Sequence, residues 1–496
     1  MKNPSTDLYH LIHSLSKPEK RYFTIYAERH YPRDNQYAKL FQIIESEPHY
    51  KEAEIIQQAY PGKSPAHFAV LKNQLYENVL EALHRYEEFG DPEQKINKGI
   101  HYCNILLNKG LYEQCKKQIK KYKLLAYSYE KFENVIELIE IEKKWITKTQ
   151  FSAVTYLQLE QLYAELNNCL ELLKTSNTFW LQSNTIYKMH YEKKIVSGKE
   201  NKELFNLTAD EQFQNPVYAT TFKAKLDQLQ INALHAFVNG NAEKAYQYNS
   251  AFLHLIDNNL RLKYLFADRY FSALNNYLID SLLLQKYDAL LKGIEVLRST
   301  PGLAEFKHIR HLEANVFRLS YLLELNYLVS QGLFGKALDC IRIVDSGLKK
   351  HGDKIPKPNI ITLRYLSAYV MFCNGKFEDC LSELFILFSI KDSETVSDLY
   401  RDSRMMQLIC HFEMGDHFLV DSLIISFQRY LLAKKIKYQT YSTIIRFIKQ
   451  YTQKLQKPKR QELENKLLSL SENEGEKIAF NNLNYLHWIR NVSKIK

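Results

Sequence analysis

Apolar residues return every three or four positions along most of this chain, a spacing that places them on one face of an α-helix. Glycine (15) and proline (12) are scarce for 496 residues, while Leu, Lys, Glu and Ile are abundant. Such a composition favours helices and argues against disorder. The pattern therefore predicts an all-α fold.

A short phrase led by glycine recurs between these helical runs. Its copies are Gly110–Cys115, Gly240–Ala245, Gly332–Ala337, Gly375–Cys380 and Gly415–Val420, with Gln285–Leu290 keeping the frame without the glycine. From residue 240 onward the copies start 45, 47, 43 and 40 residues apart. Repeats of this length predict an α-solenoid, in which antiparallel helix pairs stack side by side.

The residue types in the phrase suit a helix hairpin. A glycine can adopt positive φ and so end the first helix in a tight turn. Five positions later a small residue, such as Ala337 or Cys380, allows the returning helix to approach its partner closely. An aromatic residue two positions after the turn, such as Phe334, can wedge between the two helices.

These features resemble the tetratricopeptide repeat (TPR), which has glycine, an aromatic residue and alanine at the same offsets. The resemblance covers 98–126 and 226–430. The family period is about 34 residues, so the units of this chain are longer and degenerate. No clear phrase is visible over 127–225, where helical spacing still predicts further helix pairs.

The resemblance implies a superhelix that binds a peptide in its concave groove. First-helix residues three, six or ten positions before each glycine would face that groove. They include Asn326 in one unit and Tyr365, Tyr369 and Phe372 in the next. An aromatic groove of this kind suits an apolar or amphipathic segment. The same residues could equally belong to the core.

The chain divides by pattern into three parts: an N-terminal helical domain over 1–92, the solenoid over 93–430, and a basic helical cap over 431–496. In the first part, Ser16–Glu19 has the spacing of a capping box. A short helix, a turn and a longer helix over 51–86 could form a DNA-binding helix-turn-helix. Residues 1–90 hold 11 basic and 12 acidic residues, so we favour a cap on the solenoid.

Positive charge is concentrated near the C-terminus. The chain carries a net charge of +11, and residues 429–460 contain ten basic residues and no acid. The candidate contacts to an anion or nucleic acid are Lys434, Lys435, Lys437, Arg446 and Lys449. Interleaved tyrosines could stack on bases. The alternative, which we favour, is a solvated surface with the tyrosines packed inward.

Signatures of catalysis are missing from the sequence. It has neither a G-x-G-x-x-G nor a G-x-x-x-x-G-K-[ST] motif, and we expect no cofactor. His308 with His311, and the set from Cys410 to His417, are too loosely spaced to predict a metal site. Seven cysteines without a C-x-x-C pair predict reduced thiols in the core of a cytoplasmic protein.

Neither a signal peptide at the N-terminus nor an apolar run long enough for a membrane span is visible. The sequence therefore predicts a non-enzymatic, cytoplasmic scaffold that binds a protein or peptide partner. The alternative is a nucleic-acid-linked regulator that uses the N-terminal helices or the basic segment. The oligomeric state is not predicted.

Overall fold

The structure is a computed structural model that describes residues 6–30, 36–59, 65–87, 92–152, 154–191, 213, 215–306, 309–390, 397–452 and 459–492. Most of these residues are helical, and none of them lies in a strand. The all-α prediction is confirmed. The chain divides into two compact units, Met1–Thr178 with Thr220–Phe222, and Phe179–Ala219 with Lys223–Lys496.

The first unit begins with five helices that share one core. They are α1 (Asp7–Ser14), α2 (Lys17–His30), α3 (Gln36–Ser46), α4 (Glu52–Ala59) and α5 (Pro65–Glu87). Helix α5 packs on α1, α2 and α3, while α4 packs on α3. Apolar residues at helical spacing, including Phe68, Leu75 and Val79, are buried in this core. These positions follow directly from the 3.6-residue period of α5.

The predicted start of α2 is confirmed by its hydrogen bond. The Ser16 backbone N–H donates to Glu19 Oε2 at 2.6 Å, which is one half of a capping box. Near the end of α5, Tyr86 is exposed, and its ring centroid lies 5.1 Å from that of Tyr22. Residues 60–64, where the sequence predicts a turn before α5, lie outside the described residues.

Four further helices follow: α6 (Pro92–Asn108), α7 (Tyr112–Ser128), α8 (Phe132–Lys148) and α9 (Tyr156–Tyr191). Helix α7 packs on both α6 and α8. The division between the two units falls inside α9, after Thr178. The sequence predicts helix pairs here, and α9 is instead one helix of 36 residues. It continues because no glycine or proline interrupts it.

The second unit continues the helix pairs. They are α10 (Phe222–Val238) and α11 (Ala242–Asp257), α12 (Ala267–Leu283) and α13 (Tyr287–Ser299), α14 (Leu312–Ser330) and α15 (Phe334–His351), α16 (Lys357–Cys373) and α17 (Phe377–Ser389), and α18 (Ser397–Glu413) and α19 (His417–Ala433). Helices α20 (Gln439–Thr452) and α21 (Arg460–Ser471) follow, and short helical turns over 477–492 end the described chain.

Packing in this unit runs from neighbour to neighbour. From α11 to α19, each helix packs against the next one in sequence. The first helices of successive pairs also touch, so that α12 contacts α14, α14 contacts α16 and α16 contacts α18. The first helices from α12 to α18 therefore form one continuous row.

The glycine turns are formed as the sequence predicts. All five phrase glycines have positive φ, from 65° at Gly332 to 79° at Gly415. At Gly332 the backbone N–H donates to Val329 O at 3.0 Å, and the next N–H, of Leu333, donates to Leu328 O at 2.8 Å. This pair of bonds is a Schellman motif, which satisfies carbonyls that the helix end would leave unpaired. The small residues five positions later, such as Ala337 and Cys380, are fully buried.

Further turns of the same kind lack the glycine. Gln285 takes the glycine position of the sixth phrase with a φ of 57°, as the frame predicts. Glu130, Gln150 and Lys435 also have positive φ and make the same pair of backbone hydrogen bonds. The phrase Glu130–Val135 even keeps the aromatic residue and the buried position five residues on. The sequence pattern does not reveal this phrase, because it has Glu130 in place of glycine. Residues other than glycine can adopt positive φ at some cost.

Two glycines separated by three positions test the turn directly. An added Cβ meets no atom within 4 Å at either Gly332 or Gly335, but only Gly332 has positive φ. We expect Gly332→Ala to lower the free energy of unfolding by about 1 to 2 kcal/mol, because alanine is strained in this conformation. Gly335→Ala, inside α15, should raise it by up to about 1 kcal/mol. Urea unfolding of both variants measures the difference, and equal effects would contradict the assignment.

Candidate functional site

The aromatic residues that the sequence places in a groove are covered by the chain itself. Tyr365, Tyr369 and Phe372 on α16 are 2%, 5% and 0% exposed. They belong to the largest core cluster described, together with residues of α18, α20 and the end of the chain. An external partner therefore has no access to these three rings in this conformation. They are core residues, which is the alternative that the sequence left open.

Residues 476–492, which we call the C-terminal segment, provide much of this cover. The Tyr365 hydroxyl donates to the Asn482 carbonyl at 2.8 Å. The Trp488 indole N–H donates to Glu413 Oε1 at 2.7 Å, and His487 Nε2 lies 3.4 Å from the Cys373 carbonyl oxygen. These contacts come from α16 and α18, which are neighbouring first helices. The C-terminal segment thus binds along two members of the first-helix row.

A buried polar cluster fixes the middle of this segment. Asp402 on α18 accepts two hydrogen bonds from Arg401, from Nε at 3.0 Å and from Nη2 at 3.1 Å. It also accepts from the Tyr441 hydroxyl at 3.1 Å and from Asn482 Nδ2 at 2.9 Å. Burial raises the pKa of the Asp402 carboxyl, and these donors oppose that rise by stabilising its charge. A buried carboxylate requires such donors, so Asn482 is held to one position.

The start of the segment is fixed at a helix N-terminus. Glu476 accepts hydrogen bonds from the backbone N–H of Gln439 at 2.7 Å and of Thr440 at 3.0 Å, and from the Thr440 hydroxyl at 2.8 Å. These groups open α20, where unpaired N–H groups and the helix dipole favour a negative charge. Glu476 therefore supplies in cis the anion that this helix end prefers.

Apolar burial adds to these polar contacts. Leu483, Tyr485, Trp488 and Ile489 are fully buried. The sequence pattern predicts a basic cap over 431–496 and indicates no role for its last residues. The available signal was the cluster of large apolar residues over 483–489, which is unusual for an exposed chain end.

Asn326, the other predicted contact, lies on α14. Its Nδ2 donates to the Leu322 carbonyl of the same helix at 2.7 Å. Asn326, Leu322 and Val329 are each half-buried, in contrast to the fully buried rings of α16. The face that these residues share is therefore partly open, one helix further along the row from the C-terminal segment.

A shallow groove lies between α10 and α11. Its volume is about 640 Å³, and its lining includes Lys225, Leu229, Tyr246, Gln247 and His254. Most of the exposed lining is apolar although several polar groups face it. Within the described part of the chain, the titratable groups of this lining, Lys225, Tyr246 and His254, make no hydrogen bond with one another.

The predicted basic residues lie at the surface. Lys434, Lys435, Lys437 and Arg446 are exposed, and Lys449 is half-buried. The aromatic rings between them mostly point inward: Tyr430, Tyr441 and Phe447 are buried, whereas Tyr438 and Tyr451 are half-buried. Buried rings offer no platform for stacking on bases. Lys454 and Lys457 lie outside the described residues.

The cysteines are buried and free, as the sequence predicts. Burial raises the pKa of Cys103, Cys340 and Cys373 to about 12, so these thiols are protonated at neutral pH and weak as nucleophiles. Across the described residues, no three His, Cys, Asp or Glu side chains form a group that could hold a metal ion. His411 contacts Asp416 at 3.2 Å, and His308 lies outside the described residues.

Within the part of the chain that the structure covers, no helix has the length and apolarity that a membrane span requires. Searches with protein-family models, against curated proteins and against solved structures find no match to this chain. The site must therefore be interpreted from its own geometry.

The contribution of the C-terminal segment can be measured by truncating its largest side chain. We expect Trp488→Ala to lower the free energy of unfolding by about 3 to 5 kcal/mol, because it leaves a cavity and removes the hydrogen bond from the indole to Glu413. Phe385→Ala is the control, since Phe385 is exposed on α17 and should change stability by less than about 0.5 kcal/mol. Similar small effects of both changes in urea unfolding would show that the segment is not packed as described.

Proposed function

We propose that this protein is a non-enzymatic scaffold that binds a segment of another protein along its row of first helices. The observation that carries the proposal is the C-terminal segment, which already lies along α16 and α18. Its contacts include a side chain bonded to a backbone carbonyl, from Tyr365 to Asn482. Side-chain donors that bind main-chain carbonyls are suited to polypeptides of varied sequence.

The binding surface for a partner is the neighbouring part of the row, on α12 and α14. Asn326, Leu322 and Val329 are half-buried there, so they combine accessible apolar area with an amide. The amide now bonds within its own helix, to Leu322 O. Its remaining donor and acceptor capacity can serve a peptide backbone. A TPR-like superhelix, with this row on its concave side, is the architecture we propose for the second unit.

A non-enzymatic role is supported by the chemistry of the described residues. The thiols of Cys103, Cys340 and Cys373 have raised pKa values, and the charged pair of Arg401 with Asp402 is occupied in positioning the chain itself. Seven free, buried cysteines also fit a reducing compartment, so we propose a cytoplasmic location.

Peptide selection tests the binding surface. A displayed library of random peptides would be selected on the intact protein, and the dissociation constant of the enriched peptides measured by fluorescence anisotropy. We expect Asn326→Ala combined with Leu322→Ala to raise that constant about tenfold or more, as the loss of central contacts does at other interfaces.

Ile343→Ala is the matched control, because Ile343 is exposed on α15, the second helix of the same pair. The dissociation constant of the enriched peptides for this variant should stay within twofold of that for the starting protein. A failure to enrich any peptide, or an equal loss in the control, would contradict the proposal.

The nucleic-acid alternative stays a prediction. Exposed Lys434, Lys435 and Lys437 favour contact with an anion, but the burial of Tyr430 and Tyr441 leaves fewer rings for the stacking that the sequence suggested. Binding to mixed nucleic acid that weakens steeply with salt and disappears when all three lysines become Glu would favour this alternative over a peptide scaffold. We expect no such binding at physiological salt.

A further inference from the structure

Helix α19 carries a second apolar stripe that the fold leaves exposed. Phe418, Ile425 and Leu432 are 99%, 50% and 79% exposed. They are seven residues apart, which places them on one face of the helix. Large apolar residues aligned on one exposed face of a helix mark an interaction surface more often than a single exposed residue does.

Folding of the second unit does not require this stripe. The opposite face of α19 packs into the core through Val420, Ile424, Phe427 and Tyr430. A helix that buries one apolar face is already stabilised by its tertiary contacts. The outer stripe therefore needs another explanation.

The charges beside the stripe are arranged symmetrically about Ile425. Asp421 lies four residues before it and Arg429 four residues after it, and both are exposed. Neither makes an ion pair with another residue in the described part of the chain. The stripe has the same symmetry, since Phe418 and Leu432 each lie seven residues from Ile425.

We propose that two copies of this protein associate through α19, antiparallel, with the two-fold axis passing beside Ile425. In this arrangement, residues equally far before and after Ile425 lie at the same level across the interface. Phe418 of each copy packs near Leu432 of the other, and Asp421 of each lies level with Arg429 of the other. A two-fold contact of this kind uses the same patch twice, so a patch that complements itself is what it requires.

Charge decides between the two possible directions. A parallel pair would place Asp421 level with Asp421 and Arg429 level with Arg429, which is repulsive. The antiparallel pair places opposite charges together in both halves of the interface. Charges beyond the stripe have the same order along the chain: the acid Asp416 precedes the stripe, and the bases Lys435 and Lys437 follow it.

The interface involves one helix from each copy, so its buried area falls at the low end for protein pairs. The loss of translational and rotational freedom opposes association, and a small interface offsets it only partly. The dimer should therefore be weak and should dissociate on dilution.

Charge reversal tests the pairing on the full chain. Sedimentation velocity over a hundredfold range of concentration should show a monomer and a dimer in equilibrium. Either Asp421→Arg or Arg429→Asp alone should raise the dimer dissociation constant at least tenfold, because like charges then face each other. The double exchange, Asp421→Arg with Arg429→Asp, should restore it to within about threefold.

Asp339→Arg is the matched control, since Asp339 is an exposed acid on α15 that lies beside Arg342 at i,i+3. This change should leave the dimer dissociation constant unchanged. Far-UV circular dichroism and the unfolding midpoint of each variant exclude misfolding as the cause. A monomer at every concentration, a dimer that is indifferent to Asp421→Arg, or a double exchange that fails to restore association would each overturn the proposal.

Discussion

The left-handed turn that ends the first helix of each pair is the constraint on which the second unit depends. At such a turn two consecutive backbone N–H groups bond back to carbonyls of the helix that is ending, so the chain reverses while these two carbonyls stay paired. The next helix must then return alongside the first, and a small or slim residue five positions on, such as Ala337, permits close contact. Repetition of this one turn brings α12, α14, α16 and α18 into a row.

A row of helices exposes a long face, and this protein covers part of that face with its own C-terminal segment. The cover combines apolar burial at Trp488 with polar contacts to Tyr365 and Asp402. Burial of Asp402 is costly, and its four hydrogen bonds to Arg401, Tyr441 and Asn482 offset that cost only in one geometry. The segment therefore occupies part of the row along which we propose that a partner polypeptide binds, and the half-buried face on α14 extends the same surface.

How much could be predicted from the sequence depended on whether the signal was local. The turns at Gly332 and Gly375 could be predicted because glycine at positive φ is a property of a few adjacent residues. The turn at Glu130 was missed since a residue with a side chain can adopt the same conformation at some cost. The partner of Tyr365 was also missed, because Asn482 lies 117 residues away and no periodicity connects the two. The spacing of the tyrosines on α16 is evident in the sequence, but the same spacing occurs whether the groove is open or covered.

The central claim is that a polypeptide binds along the first helices, and site-specific photo-crosslinking tests it most directly. A benzoylphenylalanine placed at Asn326 on α14 would be irradiated in the presence of a peptide enriched on the intact protein, with the same group at Ile343 on α15 as the comparison. The account predicts a crosslink from position 326 and none above background from position 343. A crosslink from position 343 alone would contradict it.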